Sequence, residues 1–306
     1  MMDKIIALDV GGSSVKCALF SKTGTIEDRW GVPTNKGAQN STLFEDIAKS
    51  IKLRNIDLDK IKGIGIGVPG PVVGDTVYGA VNLGLDKTDV KKALEEALGK
   101  TVPIYVENDA NCAAYGEFFT LDNASSLALL TLGTGIGGGI ILNQAIYRGI
   151  NGSAGEIGHM NTGDEDALTC NCGLSGCLET YASATGIKRH FLRARNQGIK
   201  TKLNQSEINA KMIFDAAKAG DSLALKIIDK AAYHLAKGIA NMNVILDLDV
   251  VLVGGGLSLS GAFFTEKIKT YYQDLAFTPL KGLEIKTANL GNDAGIYGAY
   301  QVVKHA

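Results

Sequence analysis

The sequence predicts an α/β protein of two lobes with largely parallel sheets. At 306 residues the chain is long enough for a large core, and chains of this size usually divide into two lobes. Apolar β-branched runs alternate with helical patterns, which is typical of parallel strands covered by helices. Residues 4–20 and 127–142 share one design of strand, glycine turn and strand. This weak self-similarity indicates two related halves.

In the first half, hydrophobic periodicity predicts the elements in order. The chain opens with KIIALDVGGSSVKCALF (4–20), whose β-branched residues continue past the glycines without a helical period, so we expect a strand on each side of the turn. A buried strand ending in a Gly-Pro loop is expected over IKGIGIGVPGPV (61–72). An amphipathic helix closed by Gly99 covers VKKALEEALGK (90–100), and a strand running into a helix covers VPIYVENDANCAAYGEFF (102–119).

The second half repeats the strand and turn pattern and then becomes helical. The strand pair is LALLTLGTGIGGGIIL (127–142). A helix over AAYHLAKGIANMNVILD (231–247) leads into DVVLVGGGLS (249–258), a strand that delivers glycines. A small-residue helix, GIYGAYQVVKH (295–305), closes the chain.

These patterns place the border between the lobes near residue 118. The amino-terminal lobe is expected to hold residues 1–118, completed by the carboxyl-terminal helix 291–306. The second lobe is expected to hold residues 119–290. Each lobe would then begin with one of the two strand and glycine-turn segments.

Composition and charge exclude several classes of protein. The chain is 45% hydrophobic and 21% charged with a net charge of −1, and without a basic block it lacks the field that nucleic-acid binding needs. The apolar run in MMDKIIALDVGG is too short for a signal peptide or a membrane span, so we expect a cytoplasmic protein. Five cysteines in a reducing compartment argue against disulfides. The isolated Cys17 and Cys112 are expected to be small buried side chains.

Glycine-rich loops after strands can bind phosphate through exposed backbone N–H groups, although a single such loop can equally be only a tight turn. Residues 65–70 and 133–138 both match G-x-G-x-x-G. Neither is followed by a helix, so the dinucleotide-binding interpretation loses its structural context. A Walker A loop is also missing, because Lys87 follows Asp86 rather than glycine.

A strand-turn-strand segment near the start of each half, with a GGG loop after a late strand, resembles the actin-like ATPase (ribonuclease H-like) fold, in which two lobes enclose an interdomain cleft. This resemblance implies that ATP is bound by three loops. Two of the loops would bind the phosphates: the first consists of Asp9, Gly11, Gly12 and Ser13, and the second of Gly133, Thr134 and Gly135. The third loop, which would contact the nucleoside, consists of Gly254, Gly255 and Gly256. Asp9 would orient Mg²⁺ through water, since hard cations near phosphates keep much of their water shell.

The stretch VENDAN (106–111) supplies the candidate catalytic carboxylate. Asn108 and Asp109 end a strand, where open α/β sheets bind their ligands. Phosphoryl transfer to a sugar hydroxyl needs a carboxylate that accepts the hydroxyl proton. Asp109 suits that role, and Asn108 would hold a neighbouring hydroxyl. An Asn-Asp helix cap explains the same residues equally well.

Three of the five cysteines and one of the four histidines lie within residues 159–177. His159, Cys170, Cys172 and Cys177 supply one nitrogen and three thiolates, which is a closed structural zinc set without an open position for a catalytic water. A redox pair is a weaker interpretation, because a single residue separates Cys170 from Cys172. Reduced core cysteines are the remaining alternative.

Two glutamates flank the predicted zinc segment. Glu156 precedes His159 and Glu179 follows Cys177, so fixing the ligands also fixes two carboxylates that can bind sugar hydroxyls. One ring nitrogen of His159 would bind zinc while the other lies near the sugar. Ordinary surface charge is the alternative for a lone glutamate.

At these residues the sequence resembles the ROK family (repressors, open reading frames, kinases). The segments that carry the resemblance are DVGGSSVK, GVPGPV, VENDANCAAYGE, LTLGTGIGGGI, GSAGEIGH, CNCGLSGCLETYASATG and VVLVGGGLS. The resemblance implies ATP-dependent phosphorylation of a hexose or N-acetylhexosamine at the 6-hydroxyl by a homodimer or homotetramer, with Asp109 as base. The implied sugar contacts are Asn108, Glu156, His159, Glu179, Gly70 and Asn82.

Two positions depart from the family pattern. The first loop is GGSS where the family commonly has GGTK, and Leu85 stands where family kinases often carry tryptophan after the N-L-x segment. Both departures bear on the choice of substrate.

Two other functions remain as alternatives. A sugar-sensing transcriptional regulator is the first, but such members carry an additional amino-terminal helix-turn-helix domain, for which we expect no room before the first strand at Lys4. The second is a glycosidase that uses Asp109 and Glu156 as its carboxylate pair. It leaves the glycine loops unexplained.

Overall fold

A computed structural model describes residues 4–34, 42–80, 83–164, 166–257 and 261–306. The strands are β1 (Lys4–Val10), β2 (Ser14–Phe20), β3 (Ile26–Pro33), β4 (Ile61–Val68), β5 (Val72–Val73), β6 (Thr76–Ala80), β7 (Leu85–Asp89), β8 (Ile104–Asn108), β9 (Leu127–Leu132), β10 (Ile136–Leu142), β11 (Ala145–Ile146), β12 (Val250–Gly254) and β13 (Glu284–Thr287). The helices are α1 (Leu43–Lys52), α2 (Val90–Leu98), α3 (Asp109–Phe118), α4 (Glu179–Ala182), α5 (Ala184–Asn196), α6 (Ala210–Lys218), α7 (Ser222–Leu246), α8 (Ala262–Leu275) and α9 (Ala294–Lys304).

Two five-stranded sheets share one strand order. The first runs β3-β2-β1-β4-β8 and the second β11-β10-β9-β12-β13. Three strands in each sheet are parallel, while β2, β3 and β11 pair antiparallel with their neighbours. The sheets are therefore mixed rather than largely parallel, because short turns reverse the chain and form antiparallel pairs. The shared order agrees with the two related halves that the sequence indicates.

The chain divides into two compact units. The first contains Met1–Asn123, Gly139–Ala154 and Asn292–Ala306, and the second contains Ala124–Gly138 and Gly155–Gly291. A three-stranded sheet, β5-β6-β7, also lies in the first unit. Its strands are short and partly exposed, and hydrophobic periodicity did not predict them.

Helices cover both faces of the first sheet. Along β1, Ile6, Leu8 and Val10 join the hydrophobic cluster that includes α1 and α2, whereas Ile5 and Ala7 join the cluster that includes α9. Successive strand residues point to opposite faces, so a strand with both faces covered is apolar throughout. This is why residues 5–10 form an almost unbroken apolar run, with Asp9 as the exception.

Helices α3 and α9 pack closely against each other. A Cβ at Gly298 would overlap the Cys112 backbone, and a Cβ at Gly116 would overlap the backbone of Ala294. Glycine is needed at both positions because each backbone has no room for a side chain. This contact holds the carboxyl-terminal helix beside α3, the helix that begins at Asp109.

In the second unit, α7 is a 25-residue helix that contacts α4, α5, α6 and α8. It begins at Ser222, earlier than residue 231, where the sequence pattern placed its start. Asp221 provides the cap, since its carboxylate accepts a hydrogen bond from the Ala224 amide at 2.9 Å. Neither α7 nor any other helix in the described ranges has the length and apolar character to cross a bilayer.

Candidate active site and metal centre

Asn108 is the cap of α3. Its side-chain Oδ1 accepts a hydrogen bond from Asn111 N at 3.0 Å, and its Nδ2 donates to Gly70 O at 3.0 Å. Gly70 has φ of 101°, and a Cβ there would lie 2.6 Å from Tyr78 O, so the turn that presents this carbonyl requires glycine. Asn108 is thus held at the carboxyl end of β8, beside the loop after β4.

Asp109 is the first residue of α3, one position after the N-cap. Its half-buried carboxylate accepts hydrogen bonds through Oδ1 from Ala110 N at 2.8 Å and from Asn108 Nδ2 at 3.2 Å. From the sequence, the Asn-Asp pair could be either a helix cap or a catalytic site. The structure assigns the N-cap position to Asn108. Asp109 is therefore a carboxylate at the carboxyl end of a parallel strand, one position after the N-cap, and such strand ends are typical of ligand sites in α/β sheets.

A buried carboxylate that sequence analysis missed supports this corner. Glu107 is 1% exposed. Its Oε1 accepts from Asn108 N and from Asn111 Nδ2, each at 2.9 Å, and its Oε2 accepts from Arg148 Nε at 2.6 Å. Buried carboxylates are stable only when their acceptor sites are filled. Glu107 thus fixes the backbone on which Asn108 and Asp109 stand, and the charge adjacent to NDAN was its only sequence signal.

The first glycine loop joins β1 to β2. Gly11 N donates to Ser14 O at 3.0 Å, and Gly12 and Ser13 are exposed at the tip. Asp9 lies next to this loop at the carboxyl end of β1. Its carboxylate is within 3.1 Å of Lys16 Nζ, and it lies against Gly295 near the start of α9.

Lys16 is the second side chain that sequence analysis missed. It stands two residues beyond Ser14 on β2, and alternate strand residues share one face. Its ammonium group also donates to Asn292 O at 2.7 Å. A lysine therefore lies beside the first glycine loop, although the GGSS segment itself contains none.

The buried thiol of Cys112 lies within the electrostatic influence of both predicted site aspartates of this unit, Asp9 and Asp109. Burial raises its pKa well above the usual value, and the negative charges of Glu107, Asp9 and Asp109 raise it further. Cys112 and Cys17 are both fully buried, which confirms the prediction for the isolated cysteines. Asn82, the remaining predicted sugar contact of this half, lies outside the described residues.

In the second unit, two of the predicted nucleotide loops lie together. Gly133, Thr134 and Gly135 follow β9, while Gly254 ends the parallel neighbour β12 and Gly255 and Gly256 follow it. Gly255 has φ of 81°, and a Cβ there would lie 2.5 Å from Leu132 O. Only glycine allows this approach of the GGG backbone to the end of β9.

The four predicted metal ligands come together. The ligand atoms of His159, Cys170, Cys172 and Cys177 all lie within 4.8 Å of one another. The Cys172 and Cys177 sulfurs are 3.6 Å apart, and His159 Nδ1 is 3.7 Å from Cys170 Sγ. A tetrahedral zinc with Zn–S bonds of about 2.3 Å requires sulfurs about 3.8 Å apart. The geometry and donor set therefore fit zinc.

The thiols of this cluster differ in acidity. The pKa of Cys172 is lowered to about 7, first by a hydrogen bond with the Leu174 backbone. Burial raises the pKa of Cys170 to about 12 and also raises that of Cys177. A bound cation would favour the thiolate at all three positions.

The two glutamates have different surroundings. Glu156 is exposed, and its Oε2 lies 4.0 Å from His159 Nε2, so the histidine directs one ring nitrogen to the cysteines and the other to this carboxylate. Glu179 Oε1 accepts from the Cys170 thiol at 2.8 Å. A Cβ at Gly135 would lie 2.7 Å from Glu179 Oε2, so this carboxylate also touches the second glycine loop. The segment after Cys177 thus connects the metal cluster with a predicted phosphate loop.

Comparison with known proteins gives the family. The family model described as "ROK family" matches residues 5–306. The chain belongs to the ROK family. A glucokinase of Halalkalibacterium halodurans is 40% identical over 313 residues, covering 98% of this chain and 94% of that protein. A xylose repressor of Caldicellulosiruptor bescii is 32% identical over 270 residues, covering 85% of this chain and 67% of the repressor.

A solved ROK structure has the same fold. The ROK family glucokinase of Streptomyces griseus, solved in complex with glucose and AMPPNP, superposes with a TM-score of 0.78 at 29% identity and covers 99% of this chain and all of its own. The expected actin-like ATPase fold with two lobes is confirmed for this ROK protein. Both G-x-G-x-x-G stretches thus belong to this fold and not to a dinucleotide-binding unit.

Proposed function

We propose that this ROK protein is a sugar kinase that transfers a phosphoryl group from ATP to a hexose or N-acetylhexosamine, at the 6-hydroxyl. The observation that carries the proposal is the position of the Asp109 carboxylate at the carboxyl end of β8, directly after Asn108, which holds the N-cap position of α3. The ROK glucokinases among its relatives support the same reaction.

In the proposed reaction, Asp109 accepts the proton of the sugar hydroxyl as the new O–P bond forms and the bond from the transferred phosphorus to the leaving ADP oxygen breaks. Asn108, held by Gly70 and Glu107, would hold a neighbouring hydroxyl. Glu156, His159 and Glu179 would bind the other hydroxyls, and Gly70 and Asn82 complete the proposed sugar contacts. A carboxylate that binds hydroxyls orients the acceptor, and this orientation lowers the activation barrier.

The phosphates of ATP would be bound by Asp9, Gly11, Gly12 and Ser13 and by Gly133, Thr134 and Gly135, with Gly254, Gly255 and Gly256 on the nucleoside. Mg²⁺, when bound with ATP, supplies positive charge that stabilises the transferring phosphoryl group. Asp9 would orient this ion through water. The exposed loop tip of Gly12 and Ser13 and the lysine beside Asp9 support the assignment.

The direct test is ADP formation from ATP and Mg²⁺ with glucose, N-acetylmannosamine, N-acetylglucosamine, fructose and allose. We expect turnover with at least one sugar, and no turnover with any of them would contradict the kinase. Asp109→Asn should lower kcat by roughly 10²–10⁴-fold while calorimetry still detects sugar binding, because only proton acceptance is removed. The matched control is Asp59→Asn, an exposed aspartate in the turn before β4, which should keep normal turnover.

We also propose that zinc occupies the His159 and cysteine cluster and braces the segment that carries Glu156 and Glu179. Metal analysis should find about one zinc per chain. Cys172→Ser should lose that zinc and sugar affinity together. Cys17→Ser changes a buried thiol outside the cluster and should keep the metal. A fully active protein without zinc would contradict the structural role.

A sugar-sensing regulator is the second candidate, and it is favoured by the similarity to the xylose repressor. It would bind sugar without ATP turnover, so the same sugar panel separates the two functions when binding and ADP release are both measured. A homodimer or homotetramer is proposed from the family resemblance alone. Sedimentation of the purified chain would measure this state.

A further inference from the structure

A cleft lies between α5 and α7 of the second unit, and none of the described site residues assigned above lines it. Its volume is about 230 Å³, which is smaller than the roughly 300–1,000 Å³ of pockets for drug-sized ligands. It therefore suits a small metabolite rather than a nucleotide. Its lining combines charged side chains, one histidine and aliphatic side chains from these helices and from the adjoining segments.

The charged lining of the cleft is mostly positive. Arg193, Lys226 and Lys230 face one carboxylate, Asp166, which forms an ion pair with Lys230. Arg193 makes a hydrogen bond to the Asp166 backbone carbonyl at 3.3 Å. Lys226 is exposed and has no ion pair among the described residues. The cleft thus keeps an excess of positive charge, which favours an anion.

His190 supplies a buried polar atom without a partner. The residue is 5% exposed, its ring stacks on Tyr181 with centroids 5.1 Å apart, and its Nε2 has no hydrogen-bond partner among the described residues. Burial, and to a smaller extent the charge of Lys230, lower the pKa of His190 to about 4, so the ring is neutral at pH 7. A buried polar atom without a partner is costly, and a ligand would satisfy it.

Part of the lining is aliphatic. Ile199, Leu223 and Ile227 contribute hydrocarbon surface, and Leu223 and Ile227 are buried. Ligand sites usually combine such an apolar wall with a few polar groups that fix orientation. A free inorganic ion would leave this wall uncovered.

We propose that this cleft binds a small organic anion, with its phosphate or carboxylate group on Arg193 and Lys226, a polar atom on His190, and its carbon skeleton on the aliphatic wall.

The test is calorimetric titration of the full-length protein in phosphate-free buffer, with a saturating non-hydrolysable ATP analogue present to occupy the glycine loops. The probes are phosphoenolpyruvate, pyruvate and inorganic phosphate, which separate the contributions of the two head groups and of the carbon skeleton. We expect phosphoenolpyruvate to bind more tightly than inorganic phosphate. Absence of binding by phosphoenolpyruvate and by pyruvate would overturn the proposal.

Variants locate the bound probe. Arg193→Gln and Lys226→Gln should each weaken phosphoenolpyruvate binding by about tenfold, equivalent to about 1.4 kcal/mol. His190→Phe keeps a ring against Tyr181 and removes Nε2, so it should weaken binding while the protein stays folded. The matched control is Arg195→Gln on the same helix, since Arg195 donates to Gln205 O and does not line the cleft. Equal binding by all four variants would place the anion elsewhere and refute the site. This readout does not depend on kinase activity.

Discussion

Two different replacements of Asn108 separate the energetic contributions of its three side-chain hydrogen bonds. Asn108→Ala removes the cap of α3, worth about 1 kcal/mol, and the Nδ2 bonds to Gly70 O and Asp109 Oδ1. The bond to the Gly70 carbonyl is worth about 1 kcal/mol and the bond to the Asp109 carboxylate at least as much, but water replaces part of both at this half-buried residue. We expect the free energy of unfolding to fall by about 2 kcal/mol in total. Asn108→Ser keeps an equally good cap and loses only the amide bonds, so its loss should be about 1 kcal/mol.

Urea unfolding followed by tryptophan fluorescence measures this difference in the structural unit that contains Asn108. Trp30 is the only tryptophan of the chain, it is 9% exposed, and it lies on β3 of the first unit with Asn108. With a slope of about 2.5 kcal/mol per M, 1 kcal/mol shifts the midpoint by about 0.4 M. Equal midpoints for the serine and alanine variants would refute the cap. A serine variant as stable as the wild type would show that the amide bonds contribute nothing.

Asn209 provides the matched control for this series. It caps α6 in the second unit, where its side chain accepts from Met212 N at 3.0 Å. Asn209→Ala should cost about 1 kcal/mol, detected by the helical circular dichroism signal, and Asn209→Ser should cost little. Both Asn209 variants should keep full kinase turnover, whereas both Asn108 variants should lose turnover because the proposed sugar contact is absent.

Two further predictions concern charge. Lys16→Ala should raise KM for ATP by about tenfold, because it removes the ammonium group that lies 3.1 Å from Asp9. The control is Lys4→Ala at the other end of the same β1-β2 strand pair, which should not change KM. An unchanged KM for Lys16→Ala would exclude a role at the first loop. Burial opposes ionisation of Asp221, but hydrogen bonds from Ala224 N, Lys202 N and Thr201 Oγ1 outweigh it and lower its pKa. Its stabilising effect is therefore present above the unfolded pKa of about 3.9 and disappears as pH falls through the folded pKa. Asp221→Asn should lower the free energy of unfolding by about 2 kcal/mol at pH 7. The urea midpoints of the variant and the wild type should converge below pH 4. An equal difference between their midpoints at pH 7 and below pH 4 would contradict this.

Local patterns predicted much of the fold and of the metal centre. The hairpin of residues 4–20, the closure of α2 at Gly99 with φ of 68°, and the strand that runs into α3 all follow from periodicity and turn residues. The ligand set of His159 and three cysteines was also predictable, since the type and clustering of donors indicate a metal. The start of α7 was missed because residues 222–230 continue a helix whose cap, Asp221, was not recognised.

The sequence by itself determined which residues can do chemistry and in which turns and strand ends they stand, because caps, glycine turns and alternation depend on neighbours along the chain. Only the tertiary structure decided which of them meet. It brought Arg148 to Glu107, placed Lys16 beside Asp9, and set Glu179 against Gly135. These contacts depend on strand register and on how closely helices and loops approach one another, and such distances between remote parts of the chain are not encoded in local propensity.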